Sequence, residues 1–192
     1  FEKETTHMAK QAKKLAFKTT KGIAMYPWLN KADYQFDSNG QFKVNLRVSK
    51  EDAKELMDHA RAAAKEAFGA KAANAAMPFK TDEDTGEIVI VTKSKFQPKF
   101  VDSTGQLISA NNVPQIYGGS TLKLAGTIYP YTAGGRIGVS LQLAGVQIIE
   151  LSEGSAAGIA FEAEDGGFVA MNDNAANDNS MPAEGGEQSY NF

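Results

Sequence analysis

Tyr34-Gln35-Phe36-Asp37-Ser38-Asn39-Gly40-Gln41-Phe42-Lys43-Val44-Asn45-Leu46-Arg47-Val48 is the stretch that decides the class of this fold. From Phe42 onward apolar and polar side chains alternate, which is the period of a strand with one buried face. An Asn-Gly pair between apolar runs is the short-range signature of a β-hairpin, so a strand through Tyr34 and Phe36 is expected to turn at Asn39-Gly40 and return as Phe42–Val48. Phe42, Val44, Leu46 and Val48 then point inward. Lys43, Asn45 and Arg47 point outward.

Downstream of that hairpin, Ser49 followed three residues later by Asp52 resembles a capping box. It opens an Ala-, Lys- and Glu-rich stretch to about Phe68, with Leu56, Met57, Ala60, Ala63, Ala64 and Ala67 at helical spacing. Asp82-Glu83-Asp84-Thr85-Gly86 reads as a turn before Glu87-Ile88-Val89-Ile90-Val91, a strand expected to continue through Lys93, Lys95 and Phe96 to Lys99. In Thr121–Tyr131, Leu122, Leu124 and Ile128 share one parity and Lys123, Thr127, Tyr129 and Tyr131 the other, provided Gly126 is not a bulge. Val139–Leu143 alternates again, and Val146–Ile149 is apolar throughout. Five or six short strands with one principal helix predict a mainly β domain, a small closed or partly closed barrel.

Charge divides the chain differently. All 20 Lys and Arg lie at or before Arg136; residues 1–150 carry net +5, whereas residues 151–192 carry 8 acidic side chains and no basic one. The expected organisation is a basic arm over 1–20 with Lys10, Lys13, Lys14 and Lys18, a folded domain over 21–151, and a flexible acidic tail over 152–192 ending in Phe192. Met8-Ala9-Lys10 reads as a natural start, so Phe1–His7 are expected to stand outside the native sequence. A basic domain with an acidic tail fits a polyanion binder whose tail competes for the same surface or recruits partners; it equally fits a solubilising tail on an ordinary domain. No Cys and two His, His7 and His59, exclude disulfides and leave too few soft ligands for a zinc site. No metal or other cofactor is expected, no apolar run reaches membrane length, and a soluble intracellular protein follows.

Three strands contribute outward cations or phenols: Lys43/Arg47, Lys93/Lys95/Lys99 and Lys123/Tyr129/Tyr131. On one barrel face they form a groove in which cations follow phosphates and rings stack on bases without choosing a sequence. Arg136, Trp28 and Phe96 are further candidates. The alternative is that the lysines protect strand edges and the tyrosines pack at a rim, in a structural or assembly barrel without catalysis. Tyr190 and Phe192, with Glu184 and Glu187, form a second candidate, an aromatic terminus on an acidic stalk suited to a basic pocket. Signals for an enzyme are poor: Asp82-Glu83-Asp84 suits a turn better than a metal loop, and Gly134-Gly135-Arg136-Ile137-Gly138 joins two strands instead of opening a helix.

Lys31-Ala32-Asp33-Tyr34, Phe42-Lys43-Val44-Asn45-Leu46, Met77-Pro78-Phe79, Tyr117-Gly118-Gly119-Ser120, Tyr129-Pro130-Tyr131 and Val139–Val146 through Glu150-Leu151 occur in an order and spacing that resembles a known family. It is that of the single-stranded DNA-binding replication proteins of tailed bacteriophages, of the T-seven-like type. The resemblance implies a five-stranded Greek-key OB-fold that coats single-stranded DNA in the cytoplasm of an infected bacterial host, serving replication, recombination and repair. It also implies a homodimer, a tail that shields the DNA groove, and tail contacts to DNA polymerase and to helicase or primase. Tyr131 falls where the family places a stacking aromatic. Two departures stand out: Val89 and Val91 replace lysines, and the hairpin at Asn39 lacks an arginine. The helix also precedes its usual OB-fold position after the third strand.

Overall fold

The computed structural model describes residues 15–153. Lys10, Lys13, Lys14 and the tail residues Glu184, Glu187, Tyr190 and Phe192 lie outside the described residues. The elements are β1 (Leu15–Lys18), β2 (Gly22–Asp33), β3 (Gln41–Val48), α1 (Lys50–Phe68), β4 (Phe79–Thr81), β5 (Ile88–Ser94), β6 (Lys99–Val101), β7 (Thr121–Ala133) and β8 (Arg136–Glu150). No helix among them is long and apolar enough to cross a membrane.

Alternation along five of these strands is resolved by ring closure. β2 pairs with β3, β3 with β5, β5 with β8, β8 with β7, and β7 returns to β2. Every junction is antiparallel except β5–β8. This is the strand order of a five-stranded Greek-key barrel of the OB type, with β1, β4 and β6 added on β7, β5 and β8. Val44, Thr92, Leu141 and Ile128 form one inward row through the cross-strand register, and each is at most 1% exposed. Each apolar member contributes roughly 1.5–3 kcal/mol by leaving water. The polar one, Thr92, donates its hydroxyl to the Val44 carbonyl at 2.9 Å, so its burial leaves no orphaned group.

The helix forms where its cap predicts. The Ser49 hydroxyl accepts the Asp52 amide hydrogen and donates to the Asp52 carboxylate. Ala53, Leu56, Ala60 and Ala64 make the buried stripe, and the small size of its three alanines lets α1 lie close against the strands; Ala67, one turn further, is exposed. α1 stands between the second and third strands of the ring. The early helix seen in the sequence is therefore a change of insertion point within an unchanged strand order.

Two expectations are corrected. The first strand of the hairpin ends at Asp33, leaving Tyr34 and Phe36 in the connection at 62% and 85% exposed. Asp37 makes that connection: its carboxylate accepts the Asn39 amide and its carbonyl the Gly40 amide, while Gly40 takes φ +75°. The strand through Val91 stops at Ser94, whose hydroxyl accepts the Phe96 amide and bends the chain before β6 restarts on β8. Lys95 and Phe96 thus sit in a bend. The irregularity at Gly126 adds its extra residue, Ala144, to β8, so the alternation of β7 is unbroken.

Candidate functional site

Register carries the outward residues into two intersecting lines. Across the barrel, Trp28 stands opposite Lys43, Lys43 opposite Lys93, Lys93 opposite Gln142, and Gln142 opposite Thr127. Along the β7–β8 hairpin the outer face presents Tyr131/Gly138, Tyr129/Ser140, Thr127/Gln142, Ala125/Gly145 and Lys123/Gln147. Lys123, Tyr129 and Tyr131 therefore share a face, as the parity of β7 predicts. The two lines cross at Thr127/Gln142.

A groove of about 530 Å³ opens at that crossing. Lys93, Lys95, Phe96 and Lys99, from the end of β5, the bend and β6, line it together with Thr127, Ser140, Gln142 and Ala144 from the hairpin. Phe96 is 80% exposed. The bend that displaces Lys95 and Phe96 from the strand is what brings them to the groove. It is held by Gln97, whose side-chain amide donates to the Leu29 carbonyl at 3.3 Å. At one end of the hairpin, Tyr129 is 42% exposed, and Tyr131 lies across Gly138, where an added Cβ would meet its hydroxyl at 2.6 Å. Arg136 opens β8 beside them and is exposed.

Electrostatics separates the expected cations. Lys43 is ion-paired with Asp33 and has the Phe36 ring 5.7 Å from its ammonium. That hydrogen-bonded ion pair, reinforced by the Gln35 amide, holds the Asp33 carboxyl below its ordinary value. Arg47 is turned to Glu87 and Asp82; its Nε lies 3.1 Å from the Glu87 carboxylate but out of line for a hydrogen bond, so the attraction is one of charge. Val89, opposite Arg47 in the ladder, is buried. None of the ion pairs among the described residues involves Lys18, Lys93, Lys95, Lys99, Lys123 or Arg136. Arg47 is thus committed to a carboxylate pair away from the groove, and Lys43 and Trp28 sit on its flank.

Residues outside the expected set border the same surface. Gln41, Ser140 and Gln142 supply uncharged donors and acceptors, and Phe36 an exposed ring; an alternating strand gives no sign of which polar residues face a groove. Tyr26, 74% exposed, sits at a bulge in β2 with φ +49°, an unfavourable backbone region for an aromatic residue.

Residues 81–151 match the family model described as single-stranded DNA-binding protein, bacteriophage T7, a span that runs from the end of β4 past β8 and includes the groove lining except Gln41. No curated protein sequence matches the chain. Among solved structures, the crystal structure of gp2.5, a single-stranded DNA-binding protein encoded by bacteriophage T7, is similar at 29% identity and TM-score 0.63, over 82% of this chain and 100% of that one. The single-stranded DNA-binding protein of bacteriophage Enc34, in complex with single-stranded DNA, shares the fold at 19% identity and TM-score 0.60, over 72% of this chain and 88% of that one. The likeness to phage single-stranded DNA-binding proteins read from the sequence is borne out.

Proposed function

We propose that this chain, which over residues 81–151 carries the sequence pattern of the bacteriophage T7 single-stranded DNA-binding family, binds and protects single-stranded DNA without strong sequence preference during phage replication, recombination and repair. The observation that carries this reading is the convergence of Lys93, Lys95 and Lys99 with Phe96 on one groove, continuous with the hairpin face of Tyr129 and Tyr131. Cations there neutralise phosphates and release counterions; rings stack on bases at about 1–3 kcal/mol each, whatever the base. Binding of this kind requires no chemistry at the strand, and the protein acts as a coat. Arg136 extends the cationic edge near the tyrosines. Lys43 and Trp28 receive the strand only at the flank, and Arg47 contributes by holding the β3–β5 edge.

In this reading residues 21–151, together with β1, which pairs with β7, form the binding domain, and residues 152–192 are the acidic segment that competes with DNA and, through Tyr190 and Phe192, recruits replication proteins such as polymerase and helicase or primase. A homodimer acting in the cytoplasm of the infected host completes the proposal. Fluorescence-anisotropy titration of the full chain against labelled oligo-dT, with duplex DNA of equal length as competitor across a salt series, tests the central claim. Preference for the single strand with an affinity that falls as salt rises supports it. Equal or absent binding to both DNAs overturns it in favour of a structural barrel.

A further inference from the structure

The β7–β8 hairpin face does not end at the groove. Beyond the β8 irregularity at Ala144 it continues as Ala125 opposite Gly145 and Lys123 opposite Gln147, and here the flanking strands change: β1 lies along β7 and β6 along β8. Lys18 on β1 stands opposite Ala125, and Lys99 on β6 beside Gly145. A second trough of about 490 Å³ results, with Ala125 and Gly145 in its floor, Lys18 and Lys99 on its two edges and Lys123 further along the floor. Leu107, 68% exposed, adds an apolar wall. Asp102, in the turn after β6, is not part of the trough lining, and its carboxylate accepts the amides of Thr104 and Gln106. Lys99 lines this trough and the first groove alike.

We propose that the trough is a second phosphate-binding segment for the same single strand, which passes from the groove over Lys99 and continues along the hairpin between Lys18 and Lys99 toward Lys123. The proposal rests on the single-stranded DNA reading above. Chemically the trough suits a strand more than a compact anion: its cations are spread over the two edges and the floor, and it adjoins the groove end to end. From Tyr131 to Lys123 the hairpin face spans about 26 Å, at roughly 3.3 Å per residue. A path of that length engages more nucleotides than the groove alone, within the roughly 4–16 nucleotides known per OB-fold.

The test compares oligo-dT of about 5 and about 16 nucleotides on the full-length chain and on two variants, Lys18→Glu and Ala125→Glu, which place a carboxylate on the wall and on the floor. Binding of the short oligonucleotide, which the groove alone accommodates, is expected to be unchanged, and this also reports that each variant is folded. Binding of the long one is expected to weaken about tenfold, with a salt slope shallower by about 0.7 for each phosphate that is no longer neutralised. Unchanged binding of the long oligonucleotide, or equal weakening of both lengths, overturns the second segment. Tighter binding of the long oligonucleotide by the variants also overturns it, and assigns the trough to the chain's own acidic residues 152–192. If the unmodified chain binds neither length, the single-stranded DNA reading itself fails and takes this proposal with it.

Discussion

Gly126 stands where a side chain has no room: a Cβ there would clash with the Gln142 carbonyl oxygen across the hairpin. Its backbone angle is ordinary, so close approach of β7 to β8, and not conformational freedom, demands glycine at this place. Gly126→Ala forces two paired backbones apart and is expected to cost about 1–3 kcal/mol, read as a lower urea midpoint with unchanged slope. Gly138 is a gentler case, because the atoms a Cβ would meet belong to the Tyr131 ring. That ring is the residue-scale test of the site. Tyr131→Ala should weaken oligo-dT binding by about 1–3 kcal/mol if the ring stacks on a base, whereas Tyr131→Phe retains affinity; equal affinity of the alanine variant removes Tyr131 from the path.

At the scale of elements, four aspartates organise the connections. Asp37 in the β2–β3 connection, Asp82 in the β4–β5 turn and Asp102 after β6 accept hydrogen bonds from amides or hydroxyls a few residues on, and Asp33 ends β2 with its Lys43 pair. These bonds outweigh partial desolvation and hold all four carboxyls below the ordinary aspartate value of 3.8. Because the folded-state values are depressed, their stabilisation is complete above about pH 4 and is lost as pH falls through them. Urea denaturation at pH 7 and at about pH 2.5 should show a clearly lower midpoint in acid; a midpoint that stays level between them would mean these turns do not depend on charge. The alternation, the cap at Ser49 and the Asp82 turn were all legible in the sequence, since each is settled within a few residues. The end of β5 at Ser94 was not. Nothing local distinguishes a strand that stops from one that continues, and β5 stops where its partner β8 leaves it.

The whole molecule is organised by charge as well as by the ring. The described domain gathers cations on one hairpin face, and the 8 acidic residues beyond position 150 are joined to the end of β8, whose last residue Glu150 lies opposite Thr121, two residues from Lys123. In the function proposed above, this tethered polyanion competes with DNA for the cationic face at high effective concentration. Ending the chain after Glu153 is expected to tighten oligo-dT binding, most at low salt where screening is weakest. Weaker binding by the shortened chain would overturn the competitive role of this segment.

What the sequence by itself determined is what neighbouring residues impose on each other: half-buried strands from period-two alternation, one capped helix, turns at Asp and Gly, and a set of outward-facing cations and aromatics. Lys123, Tyr129 and Tyr131 were placed on one face correctly because a strand's parity is local and the extra residue fell on the partner strand. Only the tertiary structure decided which of those cations belong together. Lys43 and Arg47 looked equivalent to Lys93 and Lys99, yet the carboxylates that claim them, Asp33, Glu87 and Asp82, come from other strands or turns and reach them through the pairing of β3 with β2 and β5. Lys18 gained its place by the same route, through the pairing of β1 with β7 far along the chain. A side chain's direction is set by its own strand, but its company is set by cross-strand register, and register is fixed by the packing of the whole barrel.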